Sequence, residues 1–156
     1  MAVEEQIENL KRIGALKDAV RDEPAIRQYL ANARQYRDDA AKAQTPLGRF
    51  TLAYEALHAL AMAFLTDRGV RTGGEGHRSV ALQLSIVELT KGSIKGAAQA
   101  MSQIHAARND STYFKPIPPV SEALAKVTLK LLDAALAGAE TSLAPDPGNT
   151  SPTSRG

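Results

Sequence analysis

Residues 45–67 read TPLGRFTLAYEALHALAMAFLTD, and this stretch decides the fold. Thr45 can accept a backbone hydrogen bond as an N-cap, and Pro46 suits the first turn of a helix. Large apolar side chains then follow on more than one face of that helix: Leu47, Phe50, Leu52, Tyr54, Leu57, Leu60, Phe64 and Leu65. Because a helix that is apolar on several faces must be surrounded by other elements, we predict that residues 46–67 form the central helix of a bundle.

The composition of the whole chain points the same way. Of the 156 residues, 27 are alanine, the strongest helix former, and only seven are aromatic. The absence of cysteine excludes a disulfide scaffold, a thiolate zinc site and an iron–sulfur cluster. The net charge of +2 is far below that of a dedicated duplex-DNA binder. These features indicate a globular, helical protein.

Five further segments place apolar residues at steps of three and four, as the buried face of a helix requires. They lie at residues 3–21, 24–43, 77–89, 93–108 and 120–137. Clusters of proline, glycine and polar residues separate them and leave only short loops. Since short loops favour antiparallel neighbours, we predict an all-α fold, an antiparallel bundle of five to six helices.

The chain divides into three parts. Residues 1–22 form an N-terminal helix whose narrow apolar stripe suits loose docking or an interface. Residues 23–137 form the helical bundle. Residues 138–156 carry three prolines among small polar residues and show no apolar period, so we predict a disordered C-terminal tail.

Neither a membrane span nor a secretory signal is visible in the sequence. The first residues, MAVEE, are acidic and precede no apolar segment of the signal-peptide type. The longest apolar stretch, residues 56–65, is about half a membrane span and contains His58. We therefore expect a soluble, cytoplasmic protein with no membrane partner.

Residues 105–114, HAARNDSTYF, form the most unusual stretch of the chain. A helix must end here, because the sequence KPIPP at residues 115–119 cannot continue it. Arg108 then lies near the C-terminal end of the helix, where a cation is favoured. In the simplest interpretation Arg108 caps the last turn, while Tyr113 and Phe114 anchor the loop on the core.

The pair Arg108-Asn109, followed by Tyr113, resembles the end of the fourth core helix in HEPN domains. These are all-helical bundles common in prokaryotic toxin–antitoxin and defence systems. Their signature is an arginine, usually a polar residue next, and a histidine after four to six residues. Residues 53–61 also resemble that family's central helix, which often carries a tyrosine and a histidine four apart. The likeness spans roughly residues 25–137.

The resemblance implies a two-fold homodimer in which the arginine motifs face each other across a cleft, with RNA cleaved without a metal or other cofactor. By position, Arg108 would contact the phosphate, Asn109 would be its polar neighbour, and Tyr113 stands in the place of the histidine. Tyrosine, with an ordinary pKa near 10, is a poor general base at neutral pH. In toxin members a tyrosine often follows two residues after the histidine, where this chain has Lys115.

Other residues have two interpretations each. Tyr54 and His58 lie one helical turn apart. They form either a satisfied polar pair in the core or part of the same cleft as Arg108. His105 precedes Arg108 by one turn and is either a packing residue or a displaced catalytic histidine. A glycine-rich loop spans residues 69–76. The basic residues around this loop are either solvated or contact nucleic acid or a partner protein: Arg68, Arg71, His77 and Arg78. The three histidines are scattered, so we expect no metal site.

Three functions follow from the resemblance and from these patterns. The first, which the resemblance implies, is a HEPN-like component of a toxin–antitoxin or defence system that binds RNA or cleaves it weakly without a metal, through Arg108, Asn109 and Tyr113. The second is a catalytically inactive module that works with a nucleotidyltransferase partner, since HEPN domains frequently act beside one. The third is a helical bundle that binds a nucleotide or small anion between Tyr54, His58, His105 and Arg108.

Overall fold

The computed structural model describes residues 2–74, 78–109 and 120–143. This part of the chain contains six α-helices and two short β-strands, in the order α1 (Val3–Arg12), β1 (Leu16–Asp18), α2 (Glu23–Lys42), α3 (Pro46–Asp67), β2 (Val70–Thr72), α4 (Arg78–Leu89), α5 (Ala97–Asn109) and α6 (Glu122–Ser142). The predicted helical bundle is therefore confirmed, with the addition of a small two-stranded sheet. None of the described helices is both long enough and apolar enough to cross a bilayer.

The central position of α3 is confirmed. The Oγ1 atom of its N-cap Thr45 accepts a hydrogen bond from the backbone N–H of Gly48 at 2.9 Å. Half of its residues are buried, including Phe50 and Phe64. Helix α3 packs most extensively against α2 and next against α6, and it also contacts α4, α5 and β2. The core thus surrounds α3, as its apolar faces require.

Ion pairs join α2 to α6 on the outside of the bundle. Arg37 donates from Nε and Nη2 to the two carboxylate oxygens of Asp133, at 2.8 and 3.1 Å. One turn earlier on α2, Arg34 donates to Glu140 at 2.7 Å. Because these contacts link residues about a hundred positions apart, they fix the alignment of the two helices.

The predicted N-terminal helix over residues 3–21 is wrong in its second half, and the fold that we predicted as all-α contains a small two-stranded sheet. Helix α1 ends at Arg12, and Gly14 adopts φ +80°, a conformation that glycine tolerates and that ends a helix. The chain then forms β1, which pairs antiparallel with β2 so that Leu16 lies opposite Thr72. Val20, an apolar residue within the predicted helical segment 3–21, is 88% exposed.

Two further boundaries differ from the prediction. Helix α5 begins at Ala97 rather than after Ser93, because Gly96 with φ +70° interrupts the helical path. Helix α6 continues to Ser142, so the prediction of a disordered tail is wrong for residues 138–143. Gly138 lies inside α6, where the missing side chain allows the helix to approach Leu89 closely. Residues 144–156 lie outside the described part of the chain.

Candidate functional site

A polar cleft of about 430 Å³ opens where α3, α4 and α5 meet. It is lined by residues from all three helices: Tyr54, Glu55, His58, Arg78, Ser79, His105, Arg108 and Asn109. These side chains include two cations, one carboxylate, two imidazoles and a phenol. We refer to this set of residues as the polar cleft.

The helical repeat explains how these side chains reach one place. On α3, Tyr54 and His58 are one turn apart and share a face. On α5, His105 and Arg108 are likewise one turn apart, and the buried Met101 and Ile104 hold that helix against the core. Each helix therefore presents a short polar row beside its apolar face.

Tyr54 and His105 form the floor of the polar cleft. The hydroxyl group of Tyr54 lies 3.0 Å from Nδ1 of His105, within hydrogen-bond distance. Tyr54 is only 5% exposed. Burial raises the pKa of Tyr54, although the positive charge of Arg108 opposes that shift. The phenol therefore keeps its proton at neutral pH.

Arg108 lies above this floor, in the last turn of α5. Its Cζ atom is 4.8 Å from the centroid of the Tyr54 ring, a cation–π contact. Its Nη2 atom lies 3.4 Å from Oε2 of Glu55. The guanidinium side chain remains 29% exposed, so it faces both the cleft and solvent.

Both imidazoles of the polar cleft are uncharged at neutral pH. Burial lowers the pKa of His58 below the ordinary value of 6.5, and the positive charge of Arg78 lowers it further, against a smaller opposing effect of Glu55. Burial followed by the charge of Arg108 lowers the pKa of His105. A neutral imidazole can accept a proton, and an anion placed beside it raises its pKa.

This arrangement suits an anion. Arginine binds phosphate and carboxylate through parallel hydrogen bonds, and the partial enclosure of the cleft strengthens such bonds. The imidazoles add groups that can exchange a proton with the bound molecule. In residues 2–74, 78–109 and 120–143, no three His, Cys, Asp or Glu side chains cluster in a way that would hold a metal ion.

The structure brings together most of the residues singled out from the sequence. Tyr54, His58, His105, Arg108 and Asn109 line the polar cleft, and so does one member of the basic loop set, Arg78. Tyr113 and His77 lie outside the described residues, so the structural part of their predicted roles stays a prediction.

Arg68 and Arg71 do not line the polar cleft. Arg68 donates to Glu4 at 3.0 Å, and its guanidinium lies 4.7 Å from the centroid of the Phe64 ring. Arg71 is exposed on β2, where it donates to the carbonyl oxygen of Thr72 at 3.4 Å. Arg68 thereby links α1 to the C-terminal end of α3.

Two cleft residues, Glu55 and Ser79, were missed by the sequence analysis. Glu55 could have been found, because it is the only charged side chain between Arg49 and Asp67. A lone carboxylate in the middle of a largely buried helix needs a nearby cation. Ser79 gives no comparable signal, since a serine near the start of a helix is common.

A second groove, of about 370 Å³, lies between α1 and α4. Its walls are mainly apolar and include Leu10, Val80, Leu84 and Val87. Glu88 is its single charged lining residue among those that the structure describes. The polar cleft is therefore the better candidate for binding or chemistry with a charged molecule.

The chain matches no protein-family model, no curated protein and no solved structure. A functional assignment consequently depends on the geometry and charge of the polar cleft.

Proposed function

We propose that the protein binds RNA through the polar cleft, as a HEPN-like protein in which Arg78 and Arg108 hold a backbone phosphate. The observation that carries this proposal is that two arginines from different helices line one cleft together with two neutral imidazoles. Arginine is the side chain best suited to a phosphate, because its planar group donates parallel hydrogen bonds.

The imidazoles favour RNA over a simple anion. The 2′-hydroxyl of RNA lies beside the phosphate, and the neutral imidazole of His58 is the kind of group that accepts its proton. The 2′-oxygen would then attack phosphorus, the bond to the 5′-oxygen would break, and that oxygen would take up a proton. The products would be a 2′,3′-cyclic phosphate and a 5′-hydroxyl, formed with no metal.

The same groups argue for slow cleavage. An efficient reaction of this type needs a base to take one proton and an acid to give the other. Because both histidine pKa values are lowered, an imidazolium acid is scarce at neutral pH. The phenol of Tyr54 has a proton, but its raised pKa makes it a weak acid. RNA binding with weak, metal-independent ribonuclease activity is therefore the function that we propose.

The HEPN resemblance adds two predictions about partners. It implies a homodimer whose two Arg108 motifs face one cleft, and a nucleotidyltransferase partner. Tyr113, in the position of the family histidine, would then complete the site with Asn109. Sedimentation of the purified chain measures the first prediction, and a monomer at micromolar concentration would contradict it.

The test of RNA binding uses a fluorescently labelled, mixed-sequence single-stranded RNA in EDTA. Wild type, Arg78→Ala and Arg108→Ala are compared by anisotropy, with Arg27→Ala as the matched control. Arg27 is an exposed arginine on α2 that pairs with Glu23 at 3.5 Å, away from the polar cleft. All three variants lose one positive charge, so a difference between them reports position rather than net charge.

We expect each cleft variant to weaken binding about tenfold and to reduce the salt dependence by about one phosphate contact, while Arg27→Ala changes the affinity less than about twofold. Cleavage is followed on the same samples, and its products should carry cyclic phosphate ends. Equal affinities of all three variants, or no RNA binding by wild type, would overturn the proposal.

A further inference from the structure

Glu55 brings a negative charge into a cleft that otherwise suits anions. Its Oε2 atom lies 3.4 Å from Nη2 of Arg108, and its side chain is 36% exposed. A phosphate that binds Arg108 must therefore share the guanidinium with this carboxylate. Glu55 therefore affects how strongly Arg108 can hold a phosphate.

The charges that line the polar cleft set what kind of anion it accepts. Among the described lining residues, Arg78 and Arg108 contribute two positive charges and Glu55 one negative charge, which gives a net charge of +1. The two imidazoles add no charge at neutral pH, since burial lowers the pKa of both His58 and His105. Without the charge of Glu55 the same lining residues would carry +2, so Glu55 removes about half of the positive charge that attracts an anion.

Repulsion from Glu55 grows with the charge of the ligand. The Coulomb energy between two groups is proportional to the product of their charges and rises in a partly enclosed site. A terminal phosphate carries nearly two negative charges at neutral pH, because its second pKa is about 6. An internal phosphodiester of a nucleic acid carries one. Glu55 therefore penalises the terminal phosphate about twice as strongly, in free energy, as the internal one.

We propose that Glu55 is a specificity-determining residue that weakens the binding of doubly charged terminal phosphates in the polar cleft more than the binding of singly charged internal phosphodiesters. This inference rests on the proposed function, because it concerns the same phosphate position beside Arg108. Specificity of this kind needs a repulsive group as well as attractive ones, and Glu55 supplies the repulsion.

The test compares two ligands that differ by one charge. Adenosine 5′-monophosphate and its methyl ester share base and sugar, but at pH 7.5 the first is mainly a dianion and the second a monoanion. Both compete against labelled RNA for wild type and Glu55→Gln. Glutamine keeps the shape of the side chain and an oxygen that accepts a hydrogen bond from Arg108, while the charge is removed.

For Glu55→Gln we expect affinity for the methyl ester to rise about threefold and affinity for the monophosphate about tenfold, since the dianion loses twice the repulsion. Glu55→Asp keeps the charge and should keep the wild-type preference. The control Glu140→Gln removes one carboxylate that faces Arg34 outside the cleft, and it should leave both affinities unchanged.

The outcomes separate the two proposals. If labelled RNA and the methyl ester bind in an Arg108-dependent manner, but Glu55→Gln changes both ligands by the same factor or neither, the specificity role of Glu55 is wrong and RNA binding stands. If wild type binds neither RNA nor the ester, the proposed function itself fails. Thermal unfolding of each variant confirms that it is folded before its affinities are interpreted.

Discussion

The hydroxyl group of Tyr54 and Nδ1 of His105 lie 3.0 Å apart, which links the central helix α3 to the last turns of α5. The pair also sits directly beneath Arg108, whose guanidinium contacts the Tyr54 ring. A single hydrogen bond thus connects the packing of two helices to the floor of the polar cleft. Removing this hydrogen bond should change both the free energy of unfolding and the tautomer of His105.

We expect Tyr54→Phe to lower the free energy of unfolding by about 1 kcal/mol, because a partly buried nitrogen of His105 loses its partner. The phenyl ring still supports Arg108, so the fold and the cation–π contact should remain. Burial keeps the proton on the phenol, so we expect it to donate to Nδ1 and to leave the hydrogen of the neutral ring on Nε2. The nitrogen chemical shifts of His105 report this tautomer, and unchanged shifts in the variant would contradict the assignment.

The bidentate contact between Arg37 and Asp133 should contribute measurably to stability although both side chains are partly exposed. Exposure reduces the value of an ion pair, but parallel hydrogen bonds hold this one in a fixed geometry. We expect a coupling energy of about 0.5–1 kcal/mol in a double-mutant cycle of Arg37→Ala and Asp133→Ala, measured by urea unfolding. The pair of Arg27 and Glu23 within α2 serves as comparison and should couple more weakly, and equal coupling would refute the role of geometry.

Much of the helical architecture could be predicted because strong local signals agree with the burial pattern. Thr45 and Pro46 define the start of α3, and the structure has that helix at Pro46–Asp67. The short sheet could not be predicted in the same way. Leu16 pairs with a strand more than fifty residues away, and each strand has only three residues, which is too few to show the alternation typical of a strand.

The polar cleft was partly predictable for a similar reason. Helical spacing places Tyr54 with His58 and His105 with Arg108, but it does not give the relative rotation of α3 and α5. That rotation depends on the packing of buried side chains such as Met101 and Ile104. For Arg68 the sequence did not decide between a place in the polar cleft and a contact elsewhere, and the structure shows its contact to Glu4.

Gly138 offers a test of how closely α6 approaches the neighbouring helix. Alanine is preferred to glycine inside a helix by about 1 kcal/mol, so a favourable effect of Gly138→Ala would be expected at an open position. Here a Cβ atom would lie 2.0 Å from the carbonyl oxygen of Leu89, a backbone atom that cannot move aside easily. We therefore expect Gly138→Ala to lower the free energy of unfolding by about 1–3 kcal/mol.

The matched control for Gly138 is the exposed neighbour Ala137, where Ala137→Gly should lower the unfolding free energy by about 1 kcal/mol through helix propensity alone. Urea unfolding of both variants separates the two effects. If Gly138→Ala instead raised the free energy of unfolding, α6 would have to lie farther from Leu89 than it does in this structure.

The two cleft histidines predict opposite effects of pH on stability and on RNA binding. In the folded protein the pKa values of His58 and His105 lie below their ordinary value of 6.5. As the pH falls through 6.5, the unfolded chain takes up protons that the folded chain does not, so stability is full above this value and decreases below it. A phosphate bound beside the two histidines raises their pKa values, because its negative charge favours the imidazolium form that Arg78, Arg108 and burial oppose.

We therefore expect RNA affinity to rise between pH 7.5 and 5.5 while the free energy of unfolding of the protein without RNA falls. Single substitutions His58→Gln and His105→Gln should each flatten both curves, since glutamine does not titrate. Anisotropy and urea unfolding over the same pH series measure the two quantities. Binding that weakens together with stability as the pH falls would show that the phosphate lies away from the histidines, and would remove them from the proposed site.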